Sequence, residues 1–300
     1  MKKWFKVVTL AFLAIGLFGC SAPDKQSKRT VGIVISTLSN PFFVSLENGA
    51  KVAAKKEDYK LVVLDSNNDP VKELSNVQDL VTQGVKVIII NPTDSAAVVN
   101  AVKYANEHGV KVITIDRTSN GGNVITHIES DNIKGGEMAA HYLDDRLRGK
   151  GNIIELQGIP GASATKERGE GFDRVIAKTN LHIVAQQPAN FNRTDGLNVT
   201  QNLLQAHPDV RAIFAQNDEM ALGALKAVHA EGKHDILIVG FDGTKDGIQA
   251  VKDGKMAATV AQQPYLMGEL AVETAVKAIA GKKISPNMTV PLRLVTKFNA

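Results

Sequence analysis

Cysteine and tryptophan are almost missing from this 300-residue chain: there is one of each, Cys20 and Trp4. A single cysteine excludes an internal disulfide framework and a cysteine-rich metal site. Aromatic residues make up only 5% of the chain, so two side by side call for a reason. Charge of one sign is lacking too. The first nineteen residues hold Lys2, Lys3 and Lys6 and no acid, and the remainder carries 32 basic against 31 acidic residues. That balance excludes nucleic acid as the expected partner. No apolar run reaches the roughly 20 residues of a membrane span. The seven histidines show no metal spacing, and no Gly-x-Ser-x-Gly elbow is present.

What is there begins with a basic n-region and an apolar stretch, Val7–Phe18, which read as a secretory signal over residues 1–19. It ends at Leu17-Phe18-Gly19-Cys20, which resembles a bacterial lipobox with Cys20 as the lipidated mature N-terminus. Ordinary cleavage near Cys20-Ser21-Ala22 is the other reading. The chain is therefore expected to be exported, either free in the periplasm or anchored at the outer face of a membrane through Cys20. Residues 20–29 read as a solvated tether.

Beyond the tether, short β-branched runs alternate with helical patterns. Strands are expected at 31–36, 60–65, 85–91, 110–116, 124–128, 151–157, 181–186, 211–216, 235–241 and 256–261. Helices are expected at 41–56, 71–83, 96–108, 133–148, 164–178, 195–206, 220–231, 244–253 and 266–280. This alternation argues for α/β architecture with parallel sheets covered by helices on both faces. Ten strands are many for one open sheet, so two doubly wound lobes of five or six strands fit better. The pattern breaks at 130–132, 262–264 and 285–291, which gives three crossovers. One lobe then spans 30–130 plus 263–290, and the other 131–262 plus 291–300.

The strands end in polar or aromatic groups: Ser36 with Asn40, Phe42 and Phe43; Asn91; Asp116-Arg117; Asn217; Asp242; Gln262. Ligands of open α/β sheets bind outside the carboxyl ends of the strands, so these groups outline a polar pocket. Each has a plainer reading. Asn40-Pro41 is also a helix start. Asp116-Arg117 is also an ion pair of little worth. Arg168 alone reads as a solvated helix face, and Asp242 as an N-cap with an Asx turn. Phe42 and Phe43 lie about 100° apart on a helix, so at least one should face the cleft. Two Asp offset two Arg, which suits a neutral polyhydroxyl ligand better than a phosphate. A catalytic acid–base pair of Asp116 and Asp242 is disfavoured, because the adjacent arginines would keep both ionised. Asp65–Asp69 copies the start of a calcium loop but has Pro70 and Asn76 where Gly and Glu are required. Gly158-Ile159-Pro160-Gly161 lacks the spacing of a nucleotide loop. No metal, cofactor or catalytic residue is expected.

The stretches Ser36–Leu46, Asn91–Ser95, Glu155–Ile159, Glu167–Phe172, Gln216–Ala224 and Val239–Thr244 resemble the ribose-binding members of the periplasmic sugar-binding family that serves ABC transporters. The resemblance runs from about residue 31 to the C-terminus. It implies the type I fold, with two lobes closing on D-ribose. It implies that Ser36, Asn40, Asn91, Asp116 and Arg117 bond the sugar or orient the groups that do, with ring faces from Phe42 and Phe43. From the second lobe it implies Arg168, Asn217 and Asp242 as hydroxyl partners and Phe191 as a stacking ring, with Gln262 at a crossover. The implied partners are the sugar and a membrane permease, with a chemoreceptor as a further candidate, for a chain acting as a monomer. The alternatives are the same fold with another pentose, allose or a furanose-like ligand, and, in a different class, a repressor core or a sugar-modifying enzyme.

Overall fold

The computed structural model describes residues 29–300. The expected signal, Cys20 and all of the tether but Arg29 lie outside the described residues. Strands and helices alternate in chain order. The first lobe opens with β1 (Thr30–Ile35), α1 (Pro41–Lys56), β2 (Lys60–Asp65), α2 (Pro70–Thr82), β3 (Val87–Ile90), α3 (Val99–Glu107), β4 (Lys111–Ile115) and β5 (Val124–Ser130). The chain then builds the second lobe from α4 (Asn132–Leu147), β6 (Gly151–Gln157), α5 (Ser163–Ile176), β7 (Leu181–Pro188), α6 (Arg193–Ala206), β8 (Val210–Ala215), α7 (Asp218–Ala230), β9 (Leu237–Asp242), α8 (Lys245–Lys252) and β10 (Ala258–Ala261). It returns to the first lobe with α9 (Pro264–Ile279) and β11 (Asn287–Val290), and crosses once more to β12 (Arg293–Thr296).

Two six-stranded sheets result, ordered β11-β5-β4-β3-β1-β2 and β12-β10-β9-β8-β6-β7. Their central strands are buried end to end, as in Val87–Ile90, because helices cover both faces. In the first lobe α1 and α9 lie on one face and α2 and α3 on the other. In the second, α4 and α5 cover one face and α6, α7 and α8 the other.

Two strands were not expected from the sequence. β11 and β12 have four residues each and sit at the sheet edges. Pro286 and Pro291 flank β11, so the segment reads as a pattern break. β12 also pairs antiparallel with β10, at the edge of a sheet whose other pairs are parallel as expected. Residue 291 is where the chain changes lobe, so a strand pair that looks like one interrupted run belongs to two sheets. Another difference falls at α3, which begins at Val99 rather than Ala96. Asp94 Oδ1 accepts from the backbone N–H groups of Ala96 and Ala97, both at 2.8 Å. The N–H of Ser95 donates to Gly161 O of the other lobe at 3.0 Å. The residues that would have started the helix are held instead in a contact between lobes.

The helices that carry the site are packed backbone to backbone. A Cβ on Gly268 of α9 would lie 2.0 Å from Leu46 O of α1, and one on Gly136 of α4 would lie 2.2 Å from Arg168 O of α5. Only glycine allows these approaches, and they fix α1 and α5 against their neighbours.

Candidate functional site

The site is built where strand ends of the two sheets face each other. β1 leads through Ser36 to Asn40, whose Oδ1 accepts from the N–H of Phe42 at 2.9 Å and so caps α1. Both readings of Asn40-Pro41 therefore hold: it is a helix start, and it lines the cavity. Phe42 and Phe43 pack edge to face with centroids 5.1 Å apart, and both line the cavity. β4 ends at Asp116, which takes a positive φ of 64°, followed by Arg117. From the second lobe come Ala164 and Arg168 of α5, Phe191, Asn217 and Asp242. Together these ten residues line one small cavity where the two lobes face each other.

Four charged groups face one another here, each at most 5% exposed. The pairs are not tightly closed. Arg117 Nε stands 3.6 Å from Asp116 Oδ2, and Arg168 Nη1 stands 3.8 Å from Asp242 Oδ1. The guanidinium groups are held by other means. Arg117 donates through Nη1 to Pro92 O at 3.1 Å, and its Nε has no hydrogen-bond partner. Arg168 donates through Nε to Asn132 Oδ1 at 2.9 Å and through Nη1 to Gln216 O at 2.7 Å. Its Cζ lies 3.9 Å from the centre of the Phe241 ring. The helix-face reading of Arg168 is thus corrected: the side chain is buried and pinned. The N-cap reading of Asp242 is corrected as well, because Thr244 caps α8. Nor do the arginines dominate Asp242. Burial pushes its carboxyl up, with Arg168 pulling the other way; at 3.8 Å the arginine cannot offset the loss of water.

Ser36, Asn91 and Gln262 stand behind the lining. Ser36 Oγ donates to Asn91 Oδ1 at 2.6 Å, and Asn91 Nδ2 donates to Asp116 Oδ2 at 3.2 Å. Gln262 Nε2 donates to Asp242 Oδ1 at 2.8 Å, while its Oε1 is buried without a partner. Each carboxylate is therefore oriented by an amide of its own lobe. Backbone strain is found at the same place. Asp116, Phe191 and Asp242 all have positive φ, 64°, 57° and 115°, conformations that cost about 1–3 kcal/mol each and cluster at ligand clamps.

Sequence reasoning missed Ala164, whose methyl lines the cavity and carries no polar signal. It also missed Gly158, set aside as a failed nucleotide loop. A Cβ on Gly158 would lie 2.0 Å from Phe191 Cζ, so the ring of Phe191 rests on the Gly158 backbone. The lobes are in contact around the cavity: besides Ser95–Gly161, Ser163 N–H donates to Ser95 Oγ at 3.2 Å and Thr118 N–H to Ser163 Oγ at 3.0 Å. Among the described residues no cluster of His, Cys, Asp and Glu could hold a metal ion, and no helix is long and apolar enough to cross a membrane.

Residues 31–283 match a family model described as a periplasmic binding protein domain. The chain belongs to the periplasmic binding protein family. This periplasmic binding protein is 54% identical over 292 residues to the ribose import binding protein of Salmonella typhimurium, covering 97% of this chain and 98% of that one. It is 53% identical over 277 residues to the ribose import binding protein of Bacillus subtilis, covering 92% and 90% of the two chains. Among solved structures it resembles a periplasmic solute-binding protein of an ABC transporter from Actinobacillus succinogenes with bound D-allose. The TM-score is 0.85 at 32% identity, covering 90% of this chain and 98% of that one. These relatives are binding proteins of transporters rather than enzymes.

Proposed function

We propose that this periplasmic binding protein captures D-ribose between its two lobes and presents it to the permease of an ABC importer. One observation carries the reading: a small cavity between the lobes holds two arginines and two aspartates whose hydrogen-bonding atoms are not used up on one another. A neutral molecule with several hydroxyls satisfies such a set, since each hydroxyl both donates and accepts. The rings of Phe42, Phe43 and Phe191 supply apolar faces for its C–H groups. The identity of about 54% to ribose import binding proteins supports ribose among such molecules. In this reading the lining residues Asn40, Asp116, Arg117, Arg168, Asn217 and Asp242 bond the sugar, Ser36 and Asn91 orient Asp116, and Gln262 acts with Asp242. The lobes, 30–130 with 263–290 and 131–262 with 291–300, hinge at their three crossovers. Sugar touches both only when they are closed, so it stabilises that form by its differential affinity, and the permease reads the closed face. Export through the expected signal and action as a monomer belong to the same proposal. Anchoring through Cys20 and reading by a chemoreceptor are separable additions to it.

Calorimetry on protein without residues 1–19 tests this reading. The expected result is one ribose per chain, with little heat from glucose or galactose, and a scattering curve that contracts with ribose. Absence of ribose binding would overturn it. Binding of allose in preference to ribose would favour the second reading, which the allose-bound neighbour supports at lower identity.

A further inference from the structure

We propose that Glu155, which lies outside the cavity lining, is a positioning residue of the sugar site, acting through Gln216 on both Arg168 and Phe191. The proposal rests on the ribose reading. Glu155 lies in the middle of β6 and is fully buried. Its Oε1 accepts from Gln216 Nε2 at 2.7 Å, and its Oε2 accepts from Gln186 Nε2 at 2.6 Å. Gln216 in turn has every polar group engaged. Its Oε1 accepts from the N–H of Gly158 at 2.9 Å, its carbonyl accepts from Arg168 Nη1 at 2.7 Å, and its N–H donates to Leu156 O at 3.0 Å. Gly158 is the seat of the Phe191 ring. One glutamine therefore places a guanidinium and an aromatic ring of the same site.

The chemistry explains why a carboxylate is needed. A side-chain amide can turn over, and Gln216 supports Gly158 only when its oxygen faces that N–H. Burial pushes the Glu155 carboxyl up, and the hydrogen bonds from Gln186 and Gln216 pull it back toward the ionised form, which is acceptor-only, accepts from Nε2 and excludes the turned form. It must do so with both oxygens, since amide nitrogens face it on both sides. A glutamine at 155 would set its own NH₂ against one of them. The room for this contact comes from α5: a Cβ on Gly169 would lie 3.3 Å from Gln216 Nε2 and 3.5 Å from Glu155 Oε1. The two sides of the carboxylate differ in where they lead. Gln216 leads to the cavity, and Gln186 leads to Asp173 near the surface.

The test compares Glu155→Gln with Gln186→Ala. Three readouts are taken: ribose affinity, thermal midpoint of the sugar-free protein, and the backbone amide resonance of Gly158 in sugar-free protein. Glu155→Gln should weaken ribose binding about tenfold or more, the size of one charge-assisted hydrogen bond, and should move the Gly158 resonance. Gln186→Ala should lower the midpoint while keeping ribose affinity within about twofold of the parent. Equal affinities for Glu155→Gln and the parent, or equal losses in the two variants, would overturn the proposal. If Glu155→Gln does not fold, Gly169→Ala takes its place. Its methyl presses on the Gln216 amide while improving helix propensity, so affinity should fall with no loss of midpoint, and unchanged affinity would overturn the proposal. A parent that binds no ribose would sink the ribose reading instead, and the sugar-free Gly158 resonance would still report whether Glu155 sets Gln216.

Discussion

Behind each half of the cavity a buried carboxylate accepts from the backbone N–H of a threonine just beyond a strand. In the first lobe Glu73 of α2 holds Thr93, and in the second Asp218 of α7 holds Thr244, both at 2.7 Å. The surroundings then diverge. Asp218 also accepts from Thr244 Oγ1 at 3.0 Å and Thr259 Oγ1 at 2.7 Å, whereas Glu73 Oε1 is buried with no partner. Burial pushes the Glu73 carboxyl up to about 7, against about 6 for Asp218. The arginines repeat the contrast. Arg168 has two hydrogen bonds and a ring face at 3.9 Å. Arg117 has one hydrogen bond and rings at 5.2 and 5.4 Å. Arg168 is thus the more firmly held guanidinium, while the Nε of Arg117 in the first lobe, like the Oε1 of Gln262 in the second, is left for the sugar to complete.

The largest effects should come from the pinned side. Arg168→Ala and Asp242→Ala should each cut ribose affinity by more than about 100-fold, because each leaves an opposite buried charge uncompensated. Lysine substitutions test the contrast itself. A lysine at 168 cannot reach both Asn132 and Gln216 from a flat fork, so Arg168→Lys should cost clearly more affinity than Arg117→Lys. Equal losses in calorimetry would erase the difference between the lobes.

Next in size is a dependence of stability on pH. The folded-state pKa of Glu73 lies near 7 and the unfolded one near 4.5, so the folded state binds the proton more tightly. Its contribution is complete below about pH 4.5 and is lost as pH rises through about 7. The loss amounts to about 3 kcal/mol. Asp218 acts in the same sense from 3.8 up to about 6. Chemical denaturation of sugar-free protein should therefore show stability falling between pH 6 and 7. Glu73→Gln should flatten that interval and Asp218→Asn should not. If Glu73→Gln keeps the parent's slope there, the unsatisfied oxygen is not what separates the lobes.

Smaller again are the glycine contacts between helices. Gly268→Ala and Gly136→Ala both force a methyl onto a backbone carbonyl, and each should lower stability by about 1–3 kcal/mol. They should differ in binding. Gly136 presses on the carbonyl of Arg168 itself, so its substitution should also weaken ribose binding, while Gly268→Ala should leave affinity nearly unchanged.

Strands β1 to β10 were legible in the sequence to within two residues or so, because apolar runs ending in polar groups are what a doubly wound sheet requires. β11 and β12 were not, since four-residue edge strands beside prolines have no period to detect. Strand-end residues such as Asp116, Asn217 and Asp242 announced themselves by position. Arg168 and Phe191 did not. The first looks like any helix surface arginine. The second sits in a loop, and its place depends on Gly158 and a positive φ. Glu73, Glu155 and Asp218 were invisible as buried groups, because each is hydrogen-bonded to a threonine or glutamine 20 to 61 residues away.

Two asparagines, one in each lobe, serve a helix and the cavity at once. Asn40 Oδ1 accepts from Phe42 N–H and caps α1; Asn217 Oδ1 accepts from Met220 N–H at 2.9 Å and caps α7. In both, the oxygen is spent on the helix and the amide nitrogen is the part left for other work. Asn217 Nδ2 donates to Phe191 O at 3.3 Å; Asn40 faces the cavity beside Arg117. Aspartate caps a helix as well as asparagine does but offers no N–H. Asn40→Asp and Asn217→Asp should therefore keep the helix caps, at the cost of burying a carboxylate, while lowering ribose affinity. Asp69→Ala is the opposite control. Asp69 caps α2 by accepting from Val71 N–H at 2.8 Å and lines none of the cavity. It should cost about 1 kcal/mol of stability with affinity intact. The lobes should again differ. At Asn217 the new carboxylate loses its hold on the Phe191 carbonyl, so the ring that stacks from the second lobe is loosened as well as a donor being lost. At Asn40 the loss is the donor alone, and the new charge has Arg117 nearby to compensate it. Asn217→Asp should be the weaker binder of the two, and the reverse order would mean that the first lobe, not the second, holds the more demanding half of the site.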